Sequence, residues 1–258
     1  MLELRDVSIA YPGHEPTVSG ISLRVNEGEM LALIGTNGSG KTTLIRGLTG
    51  ILPLQSGDIF FKNQNLKEMS ARERARLISV VPQAANIPPG YTVYETVAHG
   101  RTPYLNWYGK LGDHDKEVID RAVALTGLED IADKDVGALS GGQQQRVIFA
   151  RAAAQDSPVM IMDEPTAFLD LRYQVEMLNL ARAFCREGSC AIVILHDLNL
   201  AARFADRVAI LNDGTIRACG TPREVLTEAT LSEVYATPIR VLPDPSGGII
   251  ILPEVQGV

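Results

Sequence analysis

The segment Gly35-Thr36-Asn37-Gly38-Ser39-Gly40-Lys41-Thr42-Thr43 constrains this chain more than any other. The apolar run Met30 to Ile34 precedes it and reads as a strand buried on both faces. A helical pattern from Thr43 to Gly50 follows, closed by Gly50 and Pro53. Strand, glycine-rich loop and helix in that order form a phosphate cradle. The glycines let backbone N–H groups turn toward an anion. The helix N-terminus adds partial positive charge. Lys41 can reach the β- and γ-phosphates of ATP, and the Thr42 hydroxyl can ligate Mg²⁺.

Around this loop the chain alternates strands with helices. Leu2, Leu4, Val7 and Ile9 mark a strand with an irregularity near Asp6, and Ile21, Leu23 and Val25 mark a second. Further strands are expected at Asp58 to Phe61, Ile78 to Pro82, Val159 to Met162, Ala191 to Leu195 and Val208 to Leu211. Helices are expected at Ser70 to Leu77, opened by a Ser70/Glu73 capping box, at Leu171 to Arg186, at Leu198 to Ala205 and over most of Pro222 to Tyr235. Asn212-Asp213-Gly214-Thr215 reads as a hairpin turn. From Pro88-Pro89-Gly90 the character changes. Helical patterns near Thr92 to Gly100, Asp115 to Thr126 and Gly141 to Ala154 carry no strong strand between them. The expectation is an α/β layered fold with a mainly parallel sheet, interrupted by a helical insertion. Its parts are a nucleotide-binding core at 1–83 and 157–220, a helical subdomain at 84–156, and a C-terminal helix and tail at 221–258 with an edge strand at Ile249 to Leu252.

A phosphate loop needs an acid at the end of a nearby strand to hold Mg²⁺. Val159-Met160-Ile161-Met162 delivers Asp163 to the carboxyl edge of the sheet, where ligands bind in such folds. Glu164 follows and is placed to polarise an attacking water. Alone, an Asp-Glu pair is as readily a pair of turn-capping acids. His196 ends the strand Ala191 to Leu195, where a His is more often structural, but that edge also allows it to sense the γ-phosphate. Gln83 ends the strand Ile78 to Pro82. Its amide oxygen can complete a Mg²⁺/water shell, or it is simply a polar strand end.

The most specific stretch is Leu139-Ser140-Gly141-Gly142-Gln143-Gln144-Gln145-Arg146. Ser140, Gly141 and Gly142 open a helix with bare N–H groups and a hydroxyl, which makes a second anion site. Here the chain resembles the ATP-binding cassette (ABC) ATPases over nearly all of its length. The resemblance implies a P-loop NTPase fold with a RecA-like core, an antiparallel β subdomain and a helical subdomain. It implies a head-to-tail homodimer in which each ATP lies between one chain's Gly35–Thr43 and the other's Ser140–Gln143. It assigns Tyr11 to adenine stacking, Gln83 to the loop joining core and helical subdomain, Asp163 to the metal, Glu164 to catalysis, Asp170 (in Leu169-Asp170) to the partner contact and His196 to the switch. Phe168 departs from the small or polar residue common in relatives.

Tyr91 to Tyr104, His196-Asp197-Leu198-Asn199-Leu200-Ala201 and Gly220-Thr221-Pro222 are similar to the subgroup that energises uptake of iron–siderophore complexes, haem and vitamin B12. That similarity implies two integral-membrane permease subunits and, through them, an extracytoplasmic substrate-binding protein. The surface around Gln83 to Arg101 would meet the permease. Tyr91, Tyr94, Trp107 and Tyr108 are either anchors there or packing within the insertion. The net charge of −7, from 31 acidic and 24 basic residues, argues against nucleic acid as a partner. Cys185, Cys190 and Cys219 have no metal-finger spacing and read as thiols of a reducing compartment. The start MLELRDVSIA lacks the features of a signal peptide. The expected place is the cytoplasm, peripheral on the inner face of the cell membrane. The competing reading is a soluble ABC ATPase used in assembly, for example of iron–sulfur clusters. A DNA-maintenance ATPase lacks support, because no long heptad insertion separates the loop from Ser140.

Overall fold

In the computed structural model, residues 1–83, 87, 90–167, 169–186, 188–245 and 247–254 are described. The sequence features at Pro88, Pro89 and Phe168 lie outside them. In chain order the elements are β1 (Leu2–Ala10), β2 (Pro16–Val25), β3 (Met30–Ile34), α1 (Lys41–Leu48), β4 (Leu54–Phe61), β5 (Gln64–Asn65), α2 (Ala71–Leu77), β6 (Ile78–Val81), α3 (Val93–Ala98), α4 (Asp113–Leu125) and α5 (Gly141–Ala154). There follow β7 (Val159–Met162), α6 (Leu171–Arg186), β8 (Cys190–Ile194), α7 (Leu198–Phe204), β9 (Arg207–Asn212), β10 (Thr215–Gly220), α8 (Pro222–Val225), α9 (Glu228–Tyr235), β11 (Ile239–Pro243) and β12 (Ile249–Pro253). They form two compact units, 1–67 with 190–258, and 68–189.

In the first unit the alternating strands behave as half-buried strands must. β1 buries Leu2, Leu4, Val7 and Ile9 and pairs antiparallel with β2 and β4. The irregularity at Asp6 is a bulge: register shifts between Leu4 and Val7, and Asp6 takes φ 51°. The short Gln64–Asn65 strand, which its polar sequence hides, adds the fourth member of this antiparallel sheet. The wholly apolar runs do the opposite. β3, buried along its full length, pairs parallel with β8 and with β9, and β9 turns back on β10 through the expected hairpin. The C-terminal helical stretch breaks between Val225 and Glu228 into α8 and α9. The edge strand expected at Ile249 has a local partner, β11.

In the second unit β6 and β7 pair parallel, in register from Ile78 with Val159 to Val81 with Met162. The Ser70/Glu73 capping box opens α2, and an equivalent Thr92/Glu95 box opens α3. α3, α4 and α5 converge on a core that includes Val93, Val97, Ile119, Val123, Val147 and Ala150. No strand lies among the described residues between β6 and α5. α3 is shorter than its pattern. After Ala98 it tightens into a 3₁₀ turn over His99–Tyr104, and Gly100 is pressed so closely on α5 that an added Cβ would sit 2.2 Å from the Arg151 carbonyl.

Arg101 is the keystone of that turn. Its side chain is buried, and Nε donates to Asp115 Oδ1 at 2.9 Å while Nη1 donates to the Ala154 carbonyl at 3.0 Å. Its guanidinium lies 3.9 Å from the Tyr104 ring centroid. The Gly112 N–H, followed by Arg101, holds the Asp115 carboxyl below the usual carboxylate range. Sequence reading placed Arg101 at the margin of a partner-facing surface; here it ties α3, α4 and α5 together. Removing one partner of such a buried pair strands the other. Arg101→Ala should therefore lower unfolding stability by about 3 kcal/mol, read as a lower midpoint in urea.

Candidate nucleotide site

At two of its positions the phosphate loop fits its place only as glycine. A Cβ on Gly35 would lie 2.0 Å from the Leu211 carbonyl, and one on Gly40 would lie 2.8 Å from Val18 Cγ2. Gly40 has φ 105° and caps α1, leaving the first N–H groups of that helix without a side-chain partner from the cap. Lys41 is buried at the head of α1. Its Nζ donates to the carbonyls of Gly35 at 2.9 Å and Thr36 at 2.8 Å. The loop thus holds the ammonium over its own backbone, beside the N–H groups that face an anion. Asn37, Gly38 and Thr42 are exposed, and Ser39 and Thr43 are buried. Tyr11 is tethered to the same helix: Arg46 Nη1 donates to its hydroxyl at 2.9 Å. His196, exposed, stands just past β8, whose pairing to β3 continues through Leu195 N–H to the Leu33 carbonyl at 3.3 Å. Asp197 then caps α7, accepting from the N–H groups of Asn199 and Leu200.

The second unit gathers the acids. Asp163 N–H donates to the Val81 carbonyl at 2.9 Å, so Asp163 ends the β6–β7 pair at its carboxyl edge. Glu164 turns the chain with φ 49°, a conformation that costs a non-glycine residue about 1–3 kcal/mol and collects at functional sites. Gln83 Nε2 donates to Glu164 Oε2 at 2.6 Å. The structure therefore brings Gln83 and Glu164 together, while the Gln83 amide oxygen stays an acceptor. Among the described residues no three His, Cys, Asp or Glu cluster as a metal cage. In this unit the Gln83 amide oxygen and the Asp163 carboxylate, and in the first unit the Thr42 hydroxyl, are oxygen donors of the kind that a hard ion such as Mg²⁺ takes.

Ser140 opens α5 with a full capping box. Its N–H donates to Gln143 Oε1 at 3.0 Å, and its Oγ accepts from Gln143 N–H at 3.4 Å. Accepting leaves the hydroxyl hydrogen to donate. The two glycines differ. Gly141 has open space where a Cβ would stand, whereas a Cβ on Gly142 would lie 2.7 Å from the Tyr173 ring. Tyr173 on α6 is a contributor that sequence reading missed, and nothing near Gly142 in the chain announces it. Asp170 caps α6, its Oδ1 accepting from Tyr173 N–H at 3.1 Å.

Of the four aromatics singled out, Trp107 (95% exposed), Tyr108 (82%) and Tyr91 (39%) are on the surface of their unit. Tyr94 instead packs against the helical core, and burial followed by Asp120 pushes its hydroxyl pKa up.

Comparison with known proteins bears on the whole chain. A profile of the ABC transporter family matches residues 18–167. The petrobactin import ATP-binding protein FpuD of Bacillus anthracis is 36% identical, covering 99% of this chain and 94% of its own. The hemin import ATP-binding protein HmuV of Streptomyces coelicolor is 41% identical over 94% of this chain and 86% of its own. The dimeric structure of a bacterial ABC transporter cassette superposes with a TM-score of 0.73 at 28% identity, over 86% of this chain and 99% of that one.

Lys41 supplies the one buried cation of the loop itself. Lys41→Ala should weaken ATP binding tenfold or more, about 1.4 kcal/mol or above, with the fold kept. Calorimetric titration with Mg-ATP checks this, and unchanged affinity would contradict the loop's assigned role.

Proposed function

We propose that this chain, which belongs to the ABC transporter family, is the ATP-hydrolysing subunit of an importer that takes up an iron–siderophore complex, haem or vitamin B12. ATP binding and ATP hydrolysis coupled to transport are the family's activity. Relatives that match nearly the whole chain are named as import ATP-binding proteins for petrobactin and hemin, which does not favour the reading as an assembly ATPase. No helix among the described residues is long and apolar enough to cross a membrane. The membrane path is therefore assigned to two permease subunits, with this chain on their cytoplasmic face and a substrate-binding protein on the other side.

The observation that carries the mechanism is that the chain holds two phosphate-ready helix starts in different compact units: Gly40–Lys41 on α1 and Ser140–Gly141 on α5. The reading assigns them to opposite ends of one ATP, in a head-to-tail pair of chains. The loop Gly35, Thr36, Asn37, Gly38, Ser39, Gly40, Lys41, Thr42 and Thr43 cradles the phosphates of one copy. Ser140, Gly141, Gly142 and Gln143 of the other copy close on the γ-phosphate, with Asp170 beside the same contact. Tyr11 stacks on adenine. A cross-chain site of this kind repeats twice by symmetry, since residue i meets j and j meets i. The dimeric cassette to which this chain is similar supports a dimer.

Thr42, Asp163 and Gln83 would hold Mg²⁺, which when bound offsets charge on the β- and γ-phosphate oxygens. Glu164 accepts a proton from water as that oxygen attacks the γ-phosphorus and the bond to the ADP oxygen breaks. The hydrogen bond from Gln83 keeps the Glu164 carboxylate aimed. His196 meets the γ-phosphate. Cleavage removes the bridge between the two helix starts, so the closed pair loses its differential stabilisation and opens. Permease subunits gripping the two copies would follow that motion.

Glu164→Gln keeps the shape and a hydrogen-bonding group but no general base. It should bind ATP normally, lose ATP turnover by at least about a hundredfold, and run as a stable dimer in Mg-ATP on size-exclusion chromatography. Near-normal hydrolysis by this variant would remove Glu164 from the mechanism.

A further inference from the structure

The C-terminal hairpin is tied to the helix that starts just after His196. Asn199 Oδ1 accepts from Ile251 N–H at 2.8 Å, and Asn199 Nδ2 donates to the Ile251 carbonyl at 3.1 Å. One side-chain amide thereby pairs with both backbone groups of a β12 residue, as a neighbouring strand would. Among the described residues β12 pairs as a strand with β11 alone, and the Asn199 amide covers part of its other edge. The Ile251 side chain is buried.

The placement of Asn199 gives that pairing a consequence. Asn199 is the second residue of α7, two after the Asp197 cap and three after His196. On its other side His196 is held by the parallel pairing of β8 with β3. The His196–Asn199 segment is thus fixed from two directions, by the strand before it and by β12 after it.

The hairpin itself is anchored without Asn199. Ile239 N–H donates to Ser232 Oγ and Val241 N–H donates to Glu228 Oε1, both at 2.9 Å, which joins β11 to α9. Arg217 on β10 makes a two-point ion pair with Glu233 on α9, at 2.9 Å on each arm. At the end of α9, burial pushes the Tyr235 hydroxyl up to about 12, with the Gly35 backbone as a smaller opposing influence. The C-terminal hairpin is therefore held by α9 as well as by the helix behind His196.

We propose that Asn199 is a positioning residue for ATP hydrolysis, and that the β11–β12 hairpin is the brace through which it sets the backbone that carries His196. The proposal rests on the assignment of His196 to the γ-phosphate made above. A side chain so placed acts on the transition state through geometry, and misplacement by about 1 Å is enough to cost up to about a hundredfold in rate.

The test is steady-state ATP hydrolysis by the full chain as Asn199→Ala, Asn199→Asp, His196→Ala and the double variant His196→Ala/Asn199→Ala. We expect Asn199→Ala to lower kcat about tenfold with KM for ATP within about twofold. Asn199→Asp, which still accepts from Ile251 N–H, should lose less. In the His196→Ala background, Asn199→Ala should have no further effect, the signature of two residues acting as one. Hydrogen exchange at Ile251 N–H reports whether the brace has been released, and in Asn199→Ala it should accelerate. Normal kcat in Asn199→Ala with Ile251 N–H released would overturn the proposal. So would an equal loss with and without His196, which marks a purely structural role. If Asn199→Ala does not fold, Asn199→Asp carries the same comparison in both backgrounds. Full turnover in His196→Ala alone would remove the His196 assignment first, and the brace with it.

Discussion

A buried ammonium held over a loop that has no room for a Cβ at Gly35 or Gly40 is the interaction on which this structure depends. Lys41 is pinned by the carbonyls of Gly35 and Thr36. The loop can take that shape only because Gly35 lies against the Leu211 carbonyl and Gly40 against Val18. β9 and β2 thus press the loop from two sides, and β3, buried throughout, delivers it to the sheet edge. Tyr11 is tethered to the helix that leaves the loop, and His196 follows the strand that pairs with β3. A positive charge and open helix N–H groups at one place select a polyphosphate more strongly than either does alone.

The second unit repeats the theme with a different emphasis. Its helix start at Ser140 is stiff, because the capping box locks both Ser140 and Gln143 and because Gly142 lies against Tyr173. Its acids are held by the short β6–β7 pair and by the Gln83–Glu164 hydrogen bond. Stiffness matters for the proposed cycle. Two rigid helix starts gripping one γ-phosphate have discrete closed and open states, whereas soft ones would absorb its loss. The strain at Glu164 belongs with this, since an unfavourable backbone angle survives only where its surroundings insist on it.

Much of this was legible in the sequence, and the reasons are local. The phosphate loop, the capping box at Ser70, the helix start at Ser140, the irregularity near Asp6 and the buried strands all follow from residues within a few positions of one another. What was not legible depends on distant partners. Gln83 meets Glu164 across 81 residues and Asn199 meets Ile251 across 52. Tyr173 explains Gly142 only once α6 lies beside α5. Arg101 sat in a stretch that looked like surface, and only the convergence of three helices shows why an arginine is buried there. β11 and β5 were hidden for another reason: their exposed or polar residues carry no period that burial would impose.

The central claim is that one ATP site is built from two copies of the chain. It is tested most directly by mixing two inactive chains, one carrying Lys41→Ala and the other Gly142→Asp, and measuring ATP hydrolysis. In a cross-chain site the mixed pair has one intact site, formed by the unaltered loop of one copy and the unaltered Ser140 helix start of the other. The mixture is then predicted to hydrolyse ATP where neither chain does alone. A mixture as inactive as its components, with mixed pairs shown to form, would contradict the account.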